Sequence, residues 1–376
     1  MTNRFNSLFL MPIFFLQPWL FNGLVRLEFL IVFFALLKLA FSERLVLRTM
    51  HAYFGFFLLI ISLFITISHG EFDSSFFKLA LKLYIIFIGA YFIVSSLSIN
   101  LNSLKLSLRA VSLLCLVFFL LSALFPPFKE IALALKGETY GLENKLEFYR
   151  LWFPTSAHTF HLGVFFICIC SIQMVLNEKI KWILMTIFCS AIAARSSLIV
   201  CCILLWINLL AKDRRNVFFI LLIMPFLIIL FNYLVENYTE AKYALEPILN
   251  IIDNGTLESK STDKFFEKHF FLPDTKQILF GDGLYTNTDG TFYMGTDSGY
   301  IRPILYGGMF FLIIYVFCMM IITYPLLSYG LIGQLTVCVF FILNLKAEFF
   351  TAGPHFALLS IFYWVCYFKR VEIEND

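Results

Sequence analysis

Apolar runs of membrane-crossing length recur along nearly the whole chain, and this recurrence limits its fold more than any other feature. A helix needs roughly 20 mostly apolar residues to cross a bilayer. About twelve such segments can be drawn: 6–21, 25–41, 51–68, 76–98, 104–125, 157–176, 180–194, 196–211, 216–235, 300–323, 329–346 and 354–368. Composition agrees: of 376 residues, 60% are hydrophobic and 14% charged, against about 25% charged in an average soluble domain. There is too little polar surface for a soluble enzyme, a nucleic-acid binder or a disordered protein. A net charge of +3 is too small to call for a polyanionic partner. The expected fold is an all-α polytopic integral membrane protein with about 12 transmembrane helices and one large extramembrane loop.

The expected division is 1–235, a membrane region of about nine spans with a loop at 126–156; 236–299, the large loop; and 300–376, a membrane region of about three spans with a short tail. The first segment has Arg4 ahead of an apolar stretch, as a signal peptide would. No small-x-small cleavage site follows and Gln17-Pro18-Trp19 ends it, so an uncleaved span is expected. All nine cysteines lie inside apolar runs, so no disulfide framework is implied.

Orientation follows from Lys and Arg in short loops near span ends. One set of loops holds Arg44 and Arg48, Lys105 and Arg109, Lys179 and Lys181, Lys212-Asp213-Arg214-Arg215, and Lys369-Arg370. Dense positive charge places these loops, and both termini, in the cytoplasm. The opposite loops are 70–75, 126–156, an apex at Arg195, 236–299 and 346–353. In 126–156, Lys129, Lys136, Lys145 and Arg150 are balanced by Glu130, Glu138, Glu143 and Glu147. Within 236–299, Tyr238 to Ile252 has helical spacing, whereas Phe280 to Gly299 is rich in Gly, Thr and Asp and reads as loop. Asn237 and Asn254 open N-x-T sequons, which matter only in a secretory-pathway protein. No internal repeat of the kind common in transporters is visible.

Ionisable groups near membrane depth are the informative ones in so apolar a chain. Arg195, in Ala193-Ala194-Arg195-Ser196-Ser197, suits a phosphate clamp, since its planar fork makes bidentate contacts. The plainer reading is a turn residue snorkelling to the interface. Arg150, in Tyr149-Arg150-Leu151-Trp152-Phe153-Pro154, is a second cation for the same anion or the partner of Glu147 in a loop salt bridge. In Asp297-Ser298-Gly299-Tyr300-Ile301-Arg302-Pro303, Asp297 is a helix cap or a general base, with Tyr300 and Arg302 beside it. Lys346, Glu348 and His355 form a polar turn between two spans or a wall of the same cavity. His158 and His161 share a helix face, but no third metal ligand is near in sequence. Gly281-x-Gly283 lacks a following helix and a P-loop lysine, so nucleotide binding is not expected. Under the assigned topology all the main clusters fall on one side. Such a site suits a lipid-linked anion with its tail in the bilayer and its pyrophosphate at the interface.

These segments, in this order, resemble the O-antigen polymerase and ligase superfamily of bacterial membrane glycosyltransferases. Arg150-Leu151-Trp152-Phe153-Pro154 resembles the family's Arg-containing stretch before a mid-chain span. Ala194-Arg195-Ser196-Ser197 is similar to its Ser-Arg-small segment, with Ala for the first Ser, and Phe280-Gly281-Asp282-Gly283 to its Phe-Gly-x-Gly turn. Asp297-Ser298-Gly299-Tyr300-Ile301, followed by Gly307-Gly308, resembles the stretch opening the next helix. Ligases of the superfamily usually carry His at the position of Asp297, so its absence favours the polymerase (Wzy-like) branch.

The resemblance implies a GT-C-like architecture in the bacterial inner membrane, multi-pass, with the site facing the periplasm. The donor is a glycan on undecaprenyl pyrophosphate, and a second lipid-linked repeat unit offers a sugar hydroxyl as acceptor. Arg150, Arg195 and Arg302 would bind the pyrophosphate and stabilise its developing charge without a metal or cofactor. Asp297 or Glu348 would take the hydroxyl proton. The implied partners are the donor and acceptor lipids, the bilayer, a chain-length regulator and a flippase; no nucleic acid is among them. The alternatives are a lipid-linked oligosaccharide flippase or transporter, the ligase, and a purely structural membrane subunit.

Overall fold

A computed structural model describes residues 6–20, 25–41, 50–69, 73–136, 148–212, 249–250 and 269–375. Apolar sequence becomes helix here because, away from water, each backbone N–H and C=O must be satisfied within its own segment. The helices are α1 (Met11–Leu16), α2 (Leu27–Phe41), α3 (Met50–Ser68), α4 (Ser75–Leu97), α5 (Leu101–Leu124), α6 (Pro126–Ala134), α7 (Thr159–Val175), α8 (Ile180–Ala193), α9 (Arg195–Lys212), α10 (Thr275–Phe280), α11 (Ile301–Leu327), α12 (Gly330–Lys346) and α13 (Pro354–Asn375). Three of them, α4, α5 and α11, are long and apolar enough to cross a membrane. Shorter apolar helices cover Gly55–Ser68, Thr159–Val175, Ile180–Ala193, Ser196–Ala211 and Gly330–Lys346. Large side chains such as Phe34, Phe64, Phe310 and Phe317 stand exposed on the outer faces, as a hydrocarbon solvent permits.

Local signals set the boundaries. Asn100 caps α5, its side chain accepting from the Ser103 amide at 2.9 Å. Asp274 and Gln277 form a reciprocal capping box on α10. Proline stands in the first turn of α6 and opens α13, where a missing N–H costs nothing.

Two expectations are corrected. Among the described residues of segment 6–21, helix covers Asn6 to Leu16, as a π turn followed by α1, short of the roughly 20 residues of a span. Gln17 turns left-handed at φ 49° and Pro18 cannot continue the helix. A two-stranded antiparallel ribbon, β1 (Trp19–Leu20) with β2 (Val25–Arg26), follows. The segment 126–156, expected as loop, contains α6 and a 3₁₀ turn, Phe148–Trp152, because Pro126 initiates a helix. Segment 216–235, both sequons, and 238–252 apart from 249–250 lie outside the described residues.

The core is built around α13. Every residue from Pro354 to Val365 is buried, and the helix packs on α4, α7 and α11. Trp364 donates its ring N–H to the Phe87 carbonyl at 2.9 Å. At one end of the bundle, hereafter the site end, Arg26 reaches the Ala352 carbonyl, Gly299 bonds to Asn344, and Gly163 packs on Ala194. At the opposite end Lys38 bonds to the Ser96 carbonyl, and Arg109 forks onto Glu178 at 2.8 and 2.9 Å.

The feature that builds the site is a break in α11. Gly307 and Gly308 leave helical geometry, so the carbonyls of Leu305 and Tyr306 lose their partners one turn ahead. The amides of Asp282 and Gly283 take them, at 2.6 and 3.1 Å. Gly308 (φ 72°, ψ −170°) occupies a region essentially restricted to glycine, and a Cβ there would stand 2.5 Å from the Leu279 carbonyl oxygen. Gly308→Ala is expected to destabilise the protein by about 1–3 kcal/mol and to loosen α10. A thermal-unfolding midpoint in detergent equal to wild type would contradict this.

Candidate functional site

The segment following α10 is pinned to the bundle by one carboxylate. Asp73, in the turn before α4, accepts from the backbone amides of Tyr285 and Thr286 through Oδ2 at 2.6 and 2.8 Å. Its Oδ1 accepts from the Ser75 amide at 2.8 Å. Burial pushes the Asp73 carboxyl up, but the bonds from Ser75, Thr286 and Tyr285 outweigh it and hold it below its ordinary value. Beneath, Phe76 meets the rings of Tyr285, Tyr306 and Phe311 at centroid distances of 4.9, 5.0 and 4.9 Å. The Tyr306 hydroxyl donates to the Ser62 carbonyl at 2.8 Å. The segment is thus fixed to α3, α4 and α11 together.

On this platform stands a buried ion pair. Arg302, in the first turn of α11, meets Glu348 of the 347–353 turn at 2.7 Å, with side-chain exposures of 6% and 4%. Its guanidinium donates to the Tyr285 carbonyl at 3.3 Å. It also lies 3.7 Å from the Tyr285 ring centroid and 4.1 Å from that of Phe292. Burial pushes the Glu348 carboxyl up against the pull of Arg302. The Arg302 Nε is buried and makes no hydrogen bond.

Asp297 stands next to the pair, its carbonyl accepting from the Glu348 amide at 3.0 Å. It caps no helix: Tyr300 is the N-cap of α11 and makes no side-chain cap. Instead its Oδ1 lies 3.3 Å from Nδ1 of His269. Burial raises the Asp297 carboxyl, while His269, Arg302 and Lys346 pull it back. Lys346 is exposed at the end of α12. Tyr300 is a tether, its hydroxyl donating to the Phe341 carbonyl at 2.8 Å. His355 is fully buried, its Nε2 2.6 Å from the Phe349 carbonyl. Its ring stacks on His161 at 5.8 Å, and His161 Nε2 lies 3.1 Å from the Glu348 carbonyl.

The structure therefore brings together Asp297, Arg302, Glu348, Lys346 and His355. Arg150 stands on the Phe148–Trp152 turn, buried and 5.9 Å from the Tyr149 ring. That turn packs on α5, α6 and α8 rather than on α11. Its sequence-proposed partner Glu147 lies outside the described residues. Arg195 opens α9 at the site end; its side chain lies outside the described residues.

Several functional-looking groups were not singled out by sequence. His269 and Asp73 sit alone in polar stretches, with no spacing to mark them. Lys136, read as a balanced loop charge, is fully buried and donates to the carbonyls of Thr155 and Ala157, each at 2.9 Å. Burial lowers its pKa to about 7. Arg26 bonds to Glu28 at 3.4 Å, and the Glu28 side chain is wholly buried. Apart from the Arg26–Glu28 pair, two residues apart, these partners come from segments distant in sequence, so no local pattern announces them.

No protein-family model, curated protein or solved structure matches the chain.

Chemically, the site offers a fixed cation, a raised carboxyl beside a partly exposed imidazole, and aromatic walls. Its geometry depends on Asp73. Asp73→Asn places an amide among hydrogen-bond donors, so faster hydrogen exchange at the Tyr285 and Thr286 amides is expected, with a loss of about 1–3 kcal/mol. Acid acts the same way. A carboxyl held below its ordinary value contributes stability above the unfolded pKa of about 3.9 and loses it as pH falls through the folded value. Unchanged exchange in Asp73→Asn would show that the segment is held by other contacts.

Proposed function

We propose that the chain polymerises lipid-linked oligosaccharide repeat units. It would transfer a growing glycan from undecaprenyl pyrophosphate to a hydroxyl of an incoming lipid-linked unit, at the periplasmic face of a bacterial inner membrane, for O-antigen or capsular polysaccharide. The observation that carries this reading is the gathering of Arg302, Glu348, Asp297 and His269 at one end of an apolar helical bundle. A lipid-linked substrate keeps its tail in hydrocarbon and its charged and sugar parts at that level.

Each residue then has a task. Arg302 is held by Glu348 and by the Tyr285 carbonyl. It supplies a preorganised positive charge that need not reorganise as charge develops on the leaving pyrophosphate. Its Nε is buried and makes no hydrogen bond. Arg195, which opens α9 at the site end, would be the second cation, whereas Arg150 stands on a turn packed on α5, α6 and α8. Glu348 serves better as the partner of Arg302 than as a base, because taking up a proton would break a buried pair. The acceptor's proton therefore goes to the Asp297 side of the site. The chemistry needs no metal, since lipid pyrophosphate is already a good leaving group.

The test is a surface-polysaccharide gel from cells lacking the native gene, complemented with wild type, Arg302→Lys or Arg302→Gln at matched membrane levels. Wild type restores the long ladder. Both variants are expected to keep a single repeat unit on the surface and to lose the ladder. Loss of the single unit as well would replace polymerisation with flipping or ligation, and a full ladder in both variants would remove Arg302 from the site.

A further inference from the structure

His269 is the one histidine at the site end that is tied by its Nδ1 to groups that only accept, among the described residues. Nδ1 lies 3.0 Å from the Gly295 carbonyl oxygen and 3.3 Å from Asp297 Oδ1. Neither a carbonyl nor a carboxylate can donate, so in the neutral ring Nδ1 carries the proton and Nε2 keeps its lone pair. The backbone is held too: the Thr296 hydroxyl donates to the His269 carbonyl at 2.8 Å. Both ring contacts are made by Nδ1, and the side-chain exposures are 27% for His269 and 34% for Asp297. Asp297 is bonded through its carbonyl to the Glu348 amide, so the imidazole belongs to the same site as Arg302.

We propose that His269 is the catalytic base of this site and Asp297 its positioning residue, acting on a sugar hydroxyl of a lipid-linked acceptor. This rests on the polymerase reading above. A neutral imidazole held through its Nδ1–H by the Gly295 carbonyl, with a carboxylate oxygen 3.3 Å from the same nitrogen, keeps the lone pair on Nε2 for a proton. The Asp297 Oδ1 beside the ring is buried and makes no hydrogen bond.

The step balances. The acceptor O–H proton passes to Nε2, and the electron pair it leaves forms the new bond from oxygen to the anomeric carbon. The bond from that carbon to the pyrophosphate oxygen breaks, and its electron pair leaves with the lipid pyrophosphate. The imidazolium formed is stabilised by the Asp297 carboxylate and returns its proton to solvent.

The full chain would be reconstituted in proteoliposomes with a synthetic lipid-linked repeat unit, and elongation followed on gels. His269→Ala is expected to slow elongation by about 100-fold or more, to bind undecaprenyl pyrophosphate as wild type does, and to regain activity in buffer containing imidazole. His269→Gln, which keeps a polar side chain of similar reach, is expected to be as slow. Asp297→Asn is expected to be slow by itself, yet to add less than about twofold to His269→Ala, because residues that act as one unit are not additive. Elongation by His269→Ala within about threefold of wild type would overturn the proposal and leave the polymerase reading standing. Slow elongation without imidazole rescue, or additive losses with Asp297→Asn, would also overturn it by making His269 structural. No elongation by wild type would remove both the polymerase reading and this one.

Discussion

The ion pair between Arg302 and Glu348 is the contact on which the rest of the site depends. Taking two charges out of water costs several kcal/mol per ion even after relaxation, and only close geometry with further hydrogen bonds offsets that cost. Here the pair is 2.7 Å long. Arg302 gains the Tyr285 carbonyl and two aromatic faces. Glu348 is held through its backbone by Asp297 and by His161. Removing either charge would leave the other unpaired in an apolar bundle. The pair therefore requires α11, the 347–353 turn and the segment after α10 to meet at one place.

Rigidity and access are divided across this pair. On one side, the broken α11 gives its two free carbonyls to Asp282 and Gly283, Asp73 gathers three backbone amides, and four aromatic rings close beneath. On the other side, Asp297 and His269 remain partly open. Fixed charge with a partly open carboxylate and imidazole is an arrangement suited to electrostatic preorganisation, and it lies at the end of the bundle rather than within it.

Much of the helical layout was legible in the sequence because hydropathy is a local, additive signal. The helix starts near 27, 75, 101, 159, 180, 301, 330 and 354 match the starts of apolar runs, with Asn100 and Pro354 as added local signals at 101 and 354. The first segment misled because its apolar run continues past the point where Gln17 and Pro18 end the helix. In the 126–156 segment Lys136 was read as one of several loop cations balanced by Glu residues, while it is buried against carbonyls. At the site, the residue types Asp297, Arg302 and Glu348 stood out from their apolar surroundings, but their pairing did not. Arg302 was read as a cation for a ligand and Glu348 as a base, and only the fold brings two residues 46 positions apart to 2.7 Å. His269 and Asp73 carried no pattern at all, since their meaning lies in backbone groups of Gly295, Tyr285 and Thr286.

We propose that this cluster of charge acts on a lipid-linked pyrophosphate at the membrane interface. The most direct measurement is the release of undecaprenyl pyrophosphate by the purified chain in liposomes supplied with a lipid-linked repeat unit, with a chelator present. One lipid pyrophosphate released for each repeat unit joined is the expected result. Release without glycan elongation, or elongation that the chelator abolishes, would contradict it.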